Sequence, residues 1–241
     1  MSADAVPRTR RHRPVDRTGS PSVYVWELPI RIVHWTIVLS IVVLTVTGLW
    51  LYDPFFGPPA RFGPGHPGFT LGVIRFIHEL TGGIFIAALF GRLYWAHAGN
   101  RYASWRALLP LTPRQRWRLR ETVRYYAFRR REAPPSVGHN PLAGLAYVGL
   151  YGGFALSAFT GLALFAWVAP TWPFRGLMSW TWTVVPIQNI RLIHLLLMFW
   201  FIAFAVHHIY SATLIDLEEQ NGELSSMITG WKIDTSEEDD F

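Results

Sequence analysis

The chain has 241 residues, of which 51% are hydrophobic, 15% aromatic and only 16% charged, and its mean hydropathy is +0.21. Soluble domains carry more charge than this, and 12 tryptophans are typical of anchoring at a membrane interface, so the composition indicates an integral membrane protein. The chain contains no cysteine, which excludes disulfides, cysteine-held iron–sulfur clusters, a thiolate haem ligand and a covalently attached c-type haem.

Four apolar runs are long enough to cross the hydrocarbon core, which takes about 20 residues of helix. They cover residues 30–52, 72–96, 142–168 and 190–215, and no fifth run of this kind is found. The sequence therefore predicts an all-α membrane protein, a four-transmembrane-helix bundle within residues 30–216. The polar segment 1–29 lacks the features of a removed signal peptide, so we expect the first span to be retained.

Arginines indicate the orientation of the bundle. Five arginines precede the first span and ten lie between the second and third spans, within a basic loop at 97–141. The other two loops hold one arginine each, Arg61 and Arg175. The positive-inside rule therefore places both termini and the basic loop in the cytoplasm. We attribute the pI of about 10.0 mainly to this topology, with membrane lipids rather than nucleic acid facing the loop.

Two segments outside the spans show weaker patterns. Residues 113–131 predict a short helix, because a proline occupies the first turn and aromatic residues alternate with arginines. We expect this helix to lie on the cytoplasmic surface with its apolar residues toward the lipid headgroups. Residues 217–241 become acidic and predict a cytoplasmic tail whose last residues are disordered.

Four histidines lie on the spans at two depths. His34 opens the first span, His78 opens the second, and the fourth carries His194 and His208. Fourteen residues of helix rise ~21 Å in almost four turns, so the last two share a face at opposite membrane edges. Topology pairs His78 with His194 at the outer edge and His34 with His208 at the inner edge. Each pair can fill both axial positions of a haem iron, which predicts two b-type haems for electron transfer.

Other histidines are weaker candidates. His207 points ~140° away from His194 around the helix, whereas His208 lies within ~40° of it, so His208 is the better ligand. His97 lies ~100° around from His78, near the interface, and a role as ligand or at a quinone site stays open. A single membrane histidine is often only a polar contact between helices, but four at matched depths favour metal binding.

Three of these histidines follow an arginine by three residues, the arginines being Arg31, Arg75 and Arg191. Such an arginine lies on the same helix face one turn nearer the water, where a haem propionate would end. We predict contacts from Arg75 and Arg191 to the outer haem and from Arg31 to the inner one. The alternative is that these arginines only extend to the interface from helix ends.

Gly48 follows His34 by fourteen residues and so faces the outer haem, where a side chain would collide with a porphyrin. Gly82, Gly83 and Gly91 on the second span fit the same argument less firmly, because small residues in membrane helices also serve helix packing. Glu79, beside His78, is an intramembrane carboxylate and a candidate for orienting a ligand or facing a partner subunit.

Six short segments of the chain form a recognisable set, RIVHW at 31–35, IRFIH at 74–78, GRLYW at 91–95, GNRYA at 99–103, HIY at 208–210 and MITGWK at 227–232. Together they closely resemble the b-type cytochrome subunit of membrane-bound nickel–iron hydrogenases. The resemblance extends over residues 25–232, and its specific parts are the GNRYA and MITG segments. The histidine layout alone would also fit formate dehydrogenase gamma subunits and bacterial cytochromes b561.

The resemblance implies a dihaem cytochrome of the bacterial cytoplasmic (inner) membrane that anchors a hydrogenase on its outer face and passes electrons to quinone. His78 and His194 would hold the haem nearest the hydrogenase, and His34 and His208 the distal one. The implied partners are the large nickel–iron subunit and the small iron–sulfur subunit, within a larger oligomeric complex. Hydrogen chemistry is not expected in this chain, which has no cysteine for those metals.

The quinone site is expected near the inner haem, where protons can be taken from the cytoplasm. Candidates for its contacts are Tyr210, His207, Arg92 and His97, with Asp216 for proton delivery. An alternative is a cytochrome b subunit of another quinone-linked dehydrogenase or reductase, similar to formate dehydrogenase gamma subunits. A haem-free transporter or anchor is less favoured, because transporters place their polar residues near the midplane.

Overall fold

The computed structural model describes residues 22–53, 69–131, 141–169, 173 and 175–233. Over these ranges the elements are, in chain order, β1 (Ser22–Tyr24), α1 (Leu28–Tyr52), α2 (Phe69–Ala98), α3 (Trp105–Leu108), α4 (Pro113–Tyr126), α5 (Pro141–Val168), α6 (Arg175–Val184), α7 (Ile187–Glu219), α8 (Glu223–Thr229) and β2 (Trp231–Ile233). The helices α1, α2, α5 and α7 are long and apolar enough to cross a membrane, in agreement with the four predicted spans.

The four long helices extend the predicted spans by a few residues at most ends. α1 packs mainly against α2, and α5 packs mainly against α7. Contacts between α2 and α5 and between α1 and α7 join the two pairs into one bundle.

Residues that face the bundle interior repeat every seven positions on each long helix. Seven residues make almost two turns and rise ~10.5 Å, so such residues stay on one face in successive layers. The sets are His34, Ile41 and Gly48 on α1; His78, Phe85 and Arg92 on α2; Tyr147, Phe154 and Gly161 on α5; and His194, Phe201 and His208 on α7. The repeat thus places one polar layer on each side of an apolar layer.

The middle layer is the core of the bundle. Phe154 lies between Phe85 and Phe201, with ring centroids 5.2 and 5.0 Å apart and the rings edge to face. Such tilted pairs are the favoured packing of aromatic rings. Ile41 packs against the same cluster. An apolar, mainly aromatic layer therefore separates the two ends of the bundle.

Both ends of the described chain meet at one end of the bundle, called here the terminal end. β1 pairs antiparallel with β2, Ser22 opposite Ile233 and Tyr24 opposite Trp231. A small second core beneath this ribbon is formed by Val25, Trp26, Ile30, Tyr102 and Ala103. The His34–His208 pair lies toward this end, and the His78–His194 pair toward the opposite end.

The terminal end differs from the tails predicted for 1–29 and 217–241. α7 continues to Glu219, and α8 and β2 fold the chain back onto the bundle as far as residue 233. β1 likewise forms within the segment predicted as an N-terminal tail. A three-residue strand has little signal of its own, because its partner lies two hundred residues away. The disorder predicted for the last residues concerns positions outside the described ranges.

α4 begins where the sequence predicts, with proline in its first turn and a capping box between Thr112 and Gln115. It ends at Tyr126 rather than at the predicted residue 131. Phe128 adopts a left-handed conformation, φ 56°, and donates its N–H to the Tyr125 carbonyl at 2.9 Å. A helix that closes on a residue other than glycine has no sequence signal for its end.

α6 was not predicted. It is a ten-residue helix between α5 and α7 at the end of the bundle opposite the ribbon. Trp180 packs against Phe159, with ring centroids 6.0 Å apart, and Trp182 packs against Trp167 at 5.4 Å. The aromatic side chains of α6 therefore pack against α5.

Candidate functional site: two histidine pairs

The four predicted ligand histidines come together as two pairs. The ring centroids of His34 and His208 are 6.5 Å apart, and those of His78 and His194 are also 6.5 Å apart. Metal–imidazole bonds of about 2.0–2.1 Å, plus about 1.1 Å from each nitrogen to its ring centroid, give about 6.3 Å across one ion. Both pairs are therefore spaced as two imidazoles on opposite sides of a metal ion would be.

A cavity of about 980 Å³ surrounds the His78–His194 pair. Its volume lies at the upper end of the range for small-molecule and cofactor sites. The lining includes four residues singled out in the sequence, Gly48, Arg75, Glu79 and Arg191. Apolar side chains form most of the remaining wall, including Phe85 and Phe201 of the middle layer. A large, flat, apolar group with acidic substituents fits this lining.

Two glycines face the imidazole rings of this pair. A Cβ atom on Gly48 would lie 3.3 Å from His78 Cε1, and one on Gly161 would lie 3.2 Å from His194 Cε1. The sequence predicts that Gly48 faces a porphyrin, and in the structure the imidazole of His78 lies against Gly48. Gly161 makes the equivalent contact from α5 and was not singled out in the sequence.

Each of these glycines follows a threonine that contacts the same ring. Thr47 Oγ1 lies 2.8 Å from His78 Nδ1, and Thr160 Oγ1 lies 2.9 Å from His194 Nδ1. Both threonines are buried, and sequence reasoning missed them. The signal was a Thr-Gly dipeptide at 47–48 and again at 160–161, with both glycines in the seven-residue register of the histidine layers.

The His34–His208 pair has different neighbours. Tyr147 OH lies 3.4 Å from His208 Nδ1, and the Phe204 ring stacks on His208 at 5.8 Å with an 11° angle. Among the described residues, the buried Nδ1 of His34 has no hydrogen-bond partner. Arg31, predicted to contact a propionate here, donates from Nη1 to the Ile228 carbonyl, and its buried Nε has no partner within the described ranges.

The four quinone candidates do not form one cluster. Arg92 is buried, donating to Tyr151 OH and to the Ala103 carbonyl, each at 3.1 Å. His97 is exposed and contacts the indole of Trp105. The other two, His207 and Tyr210, are exposed on α7 next to His208. Asp216 accepts a hydrogen bond from the Leu224 N–H at 3.3 Å, at the start of α8.

Comparison with known proteins places this arrangement in a family. A family model described as prokaryotic cytochrome b561 matches residues 25–230. The chain is similar to the probable Ni/Fe-hydrogenase B-type cytochrome subunit of Bradyrhizobium diazoefficiens, with 36% identity over 220 residues, covering 88% of this chain and 86% of the relative.

Two further relatives show the same degree of similarity. The probable Ni/Fe-hydrogenase B-type cytochrome subunit of Rhodobacter capsulatus is 35% identical over 213 residues, 87% of this chain and 80% of the relative. The probable Ni/Fe-hydrogenase 1 B-type cytochrome subunit of Escherichia coli K12 is 34% identical over 219 residues, 88% and 91% of the two chains. Together with the four apolar helices, these matches show that the chain belongs to the prokaryotic cytochrome b561 family and is a multi-pass B-type cytochrome of the bacterial inner membrane.

Proposed function

We propose that this chain is the membrane electron-transfer subunit of a nickel–iron hydrogenase and that it holds two b haems. His78 and His194 would hold one haem, and His34 and His208 would hold the other. The observation that carries the proposal is the matched 6.5 Å spacing of both pairs within one bundle. Haem b, when bound, supplies reversible one-electron exchange at iron, and two imidazoles leave no iron position for a substrate.

The cavity around His78 and His194 supports the assignment of the first haem. Arg75 and Arg191 would pair with the propionates, since guanidinium groups bind carboxylates through charge-assisted hydrogen bonds. Arg31 would play this part at the second haem, where its Nε is buried. Gly48 and Gly161 would keep α1 and α5 close to the imidazoles.

The hydrogenase assignment rests on the similarity to hydrogenase cytochrome subunits over most of the chain. We infer that the His78–His194 end faces outward and meets the iron–sulfur subunit of the hydrogenase. Oxidation of one hydrogen molecule by the large subunit releases two protons and two electrons. The electrons enter at this end and leave near His34 and His208.

We propose that a quinone takes two electrons and two protons near the His34–His208 pair and becomes a quinol. His207 and Tyr210 are the better-placed candidates, because they face outward from α7, where a lipid-soluble quinone approaches. His97 is also exposed, whereas Arg92 is buried and already hydrogen-bonded.

The test is a haem quantitation with reduced-minus-oxidised spectra of the complex purified with its partners. We expect two b haems per chain, reduced by hydrogen and reoxidised by a quinone analogue. Two haems that respond to dithionite but not to hydrogen, in a complex whose hydrogenase subunits are active, would reject the hydrogenase as donor. A chain without haem would reject the proposal entirely.

A further inference from the structure

The Thr-Gly dipeptides at 47–48 and 160–161 form matched cradles on helices that carry no ligand of this pair. On α1 the cradle of Thr47 and Gly48 receives the imidazole of His78 from α2. On α5 the cradle of Thr160 and Gly161 receives the imidazole of His194 from α7. In each, the glycine approaches Cε1 and the threonine oxygen approaches Nδ1.

Both threonine hydroxyls also reach backbone carbonyls of their own helix. Thr47 Oγ1 donates to the Val43 carbonyl at 2.7 Å, and Thr160 Oγ1 donates to the Leu156 carbonyl at 2.9 Å. A hydroxyl has one proton, so toward the imidazole each oxygen acts as an acceptor. The histidine Nδ1 must then carry its proton, which leaves Nε2 with a free lone pair. The threonines thus select the tautomer that binds a metal through Nε2.

The second pair lacks these acceptors. Within the described part of the chain, His208 Nδ1 has only the Tyr147 hydroxyl, at 3.4 Å and beyond the usual range of a good hydrogen bond, and His34 Nδ1 has no partner. The two haem sites therefore differ in the hydrogen bonding of their ligands, although their histidine spacing is the same.

We infer that Thr47 and Thr160 are positioning residues that lower the midpoint potential of the haem at His78 and His194 relative to the haem at His34 and His208. The inference rests on the proposed function. An acceptor at Nδ1 makes an imidazole a more basic ligand, and a more basic ligand favours the oxidised iron. The site facing the donor then has the lower potential, and electrons move downhill toward the quinone side.

The test is a potentiometric haem titration of the purified complex carrying T47V and T160V together. Valine keeps the shape of threonine but removes the hydroxyl acceptor, whereas the backbone carbonyl of Ser157, which also bonds His194, stays in place. We expect one of the two titration waves to move to higher potential and the other to stay. T47S and T160S, which keep the hydroxyl, should restore the wild-type wave, whereas a role in packing alone would be better preserved by valine.

Two further variants serve as controls. Y147F should leave in place the wave that the double valine variant moves, because Tyr147 lies near His208 and in neither cradle. T213V is the matched control, since Thr213 makes the same bond to a carbonyl four residues earlier, Ile209, at 2.8 Å on α7; we expect neither wave to move.

The inference is overturned if the double valine variant moves neither wave, moves both equally, or lowers the potential. If that variant loses a haem, T47V and T160V are titrated singly, and each should move the same wave part of the way. Wild-type protein with fewer than two haems would instead reject the proposed function, so the two failures are distinguishable.

Discussion

Gly161 leaves the space that the imidazole of His194 occupies, so the smallest added side chain should disturb this ring. In G161A the new methyl carbon would lie 3.2 Å from His194 Cε1, and the ring would have to move by a few tenths of an ångström. We expect a lower content or an altered spectrum of one haem, with the other unchanged, measured by haem quantitation and optical spectroscopy.

Gly149 on the same helix provides the control, because a Cβ there meets nothing within 4 Å. G149A should keep both haems and, through helix propensity, gain up to about 1 kcal/mol in stability. Equal haem loss in G149A and G161A would show that the contact with His194 is not the cause.

At Phe128 the backbone conformation determines how a substitution changes the stability of the protein. It occupies the position after the α4 cap, where φ is 56° and glycine is usual, and its side chain is 98% exposed. A left-handed residue with a Cβ costs about 1–2 kcal/mol. F128G should therefore raise the free energy of unfolding by about 1 kcal/mol in a denaturation measurement on the purified protein. F128A, which removes the ring but keeps the strain, should show no such gain, and equal gains in both variants would contradict the argument.

The C-terminal elements α8 and β2 pack on the terminal end of the bundle and form hydrogen bonds with the start of the described chain and with α1. Trp35 Nε1 donates to the Met227 carbonyl at 3.1 Å, and the Gly230 carbonyl accepts the N–H of Val25 at 2.9 Å. Asn100 Nδ2 donates to the Val25 carbonyl at 2.9 Å. Asn100 belongs to the GNRYA segment, and Met227 and Gly230 belong to the MITG segment, the two specific parts of the family resemblance. In this structure the two segments join distant parts of the chain.

Lys232 of β2 and Glu223 of α8 form an ion pair, and substitutions of these two residues test whether the pair stabilises the terminal end. The Lys232 side chain is 2% exposed and that of Glu223 is 27% exposed. E223Q would leave a buried ammonium group unpaired and should destabilise the terminal end by up to about 3 kcal/mol. K232M replaces the charge with an apolar side chain of similar size and should be nearly neutral. The rate of limited proteolysis of the C-terminal segment measures the effect of each variant. If K232M is cleaved as fast as E223Q, an unpaired buried charge is not the cause of the destabilisation.

Periodicity and length predict the long helices, because each buries its own backbone hydrogen bonds and depends little on its neighbours. The start of α4 is visible in Thr112, Pro113 and Gln115, whereas its end at Phe128 is not. α6, α8 and the ribbon were missed because packing partners elsewhere in the chain stabilise them. The same distinction holds at the site. Helical angles bring the histidines to two depths, but the contacts of Thr47 and Thr160 depend on how two helices face each other.

At the scale of the whole molecule, the bundle is two polar layers separated by an aromatic one. α1 and α5 present their threonine and glycine cradles at one end, toward the histidines of α2 and α7. At the terminal end, the two histidines come from α1 and α7, and α2 contributes Arg92 to this layer. The two ends are therefore chemically unlike, and the direction of electron flow that we propose depends on which end faces outward.

The orientation can be measured directly because the chain contains no cysteine, so a single introduced cysteine is a unique label site. Thr183 is exposed on α6 at the His78–His194 end, and Ser225 is exposed on α8 at the terminal end. The distribution of arginines predicts that the terminal end lies in the cytoplasm. We expect a membrane-impermeant maleimide to label T183C in intact spheroplasts, and S225C only after the membrane is permeabilised. The opposite pattern would put the His78–His194 pair on the cytoplasmic side, where electrons entering at this pair would have to come from an internal donor.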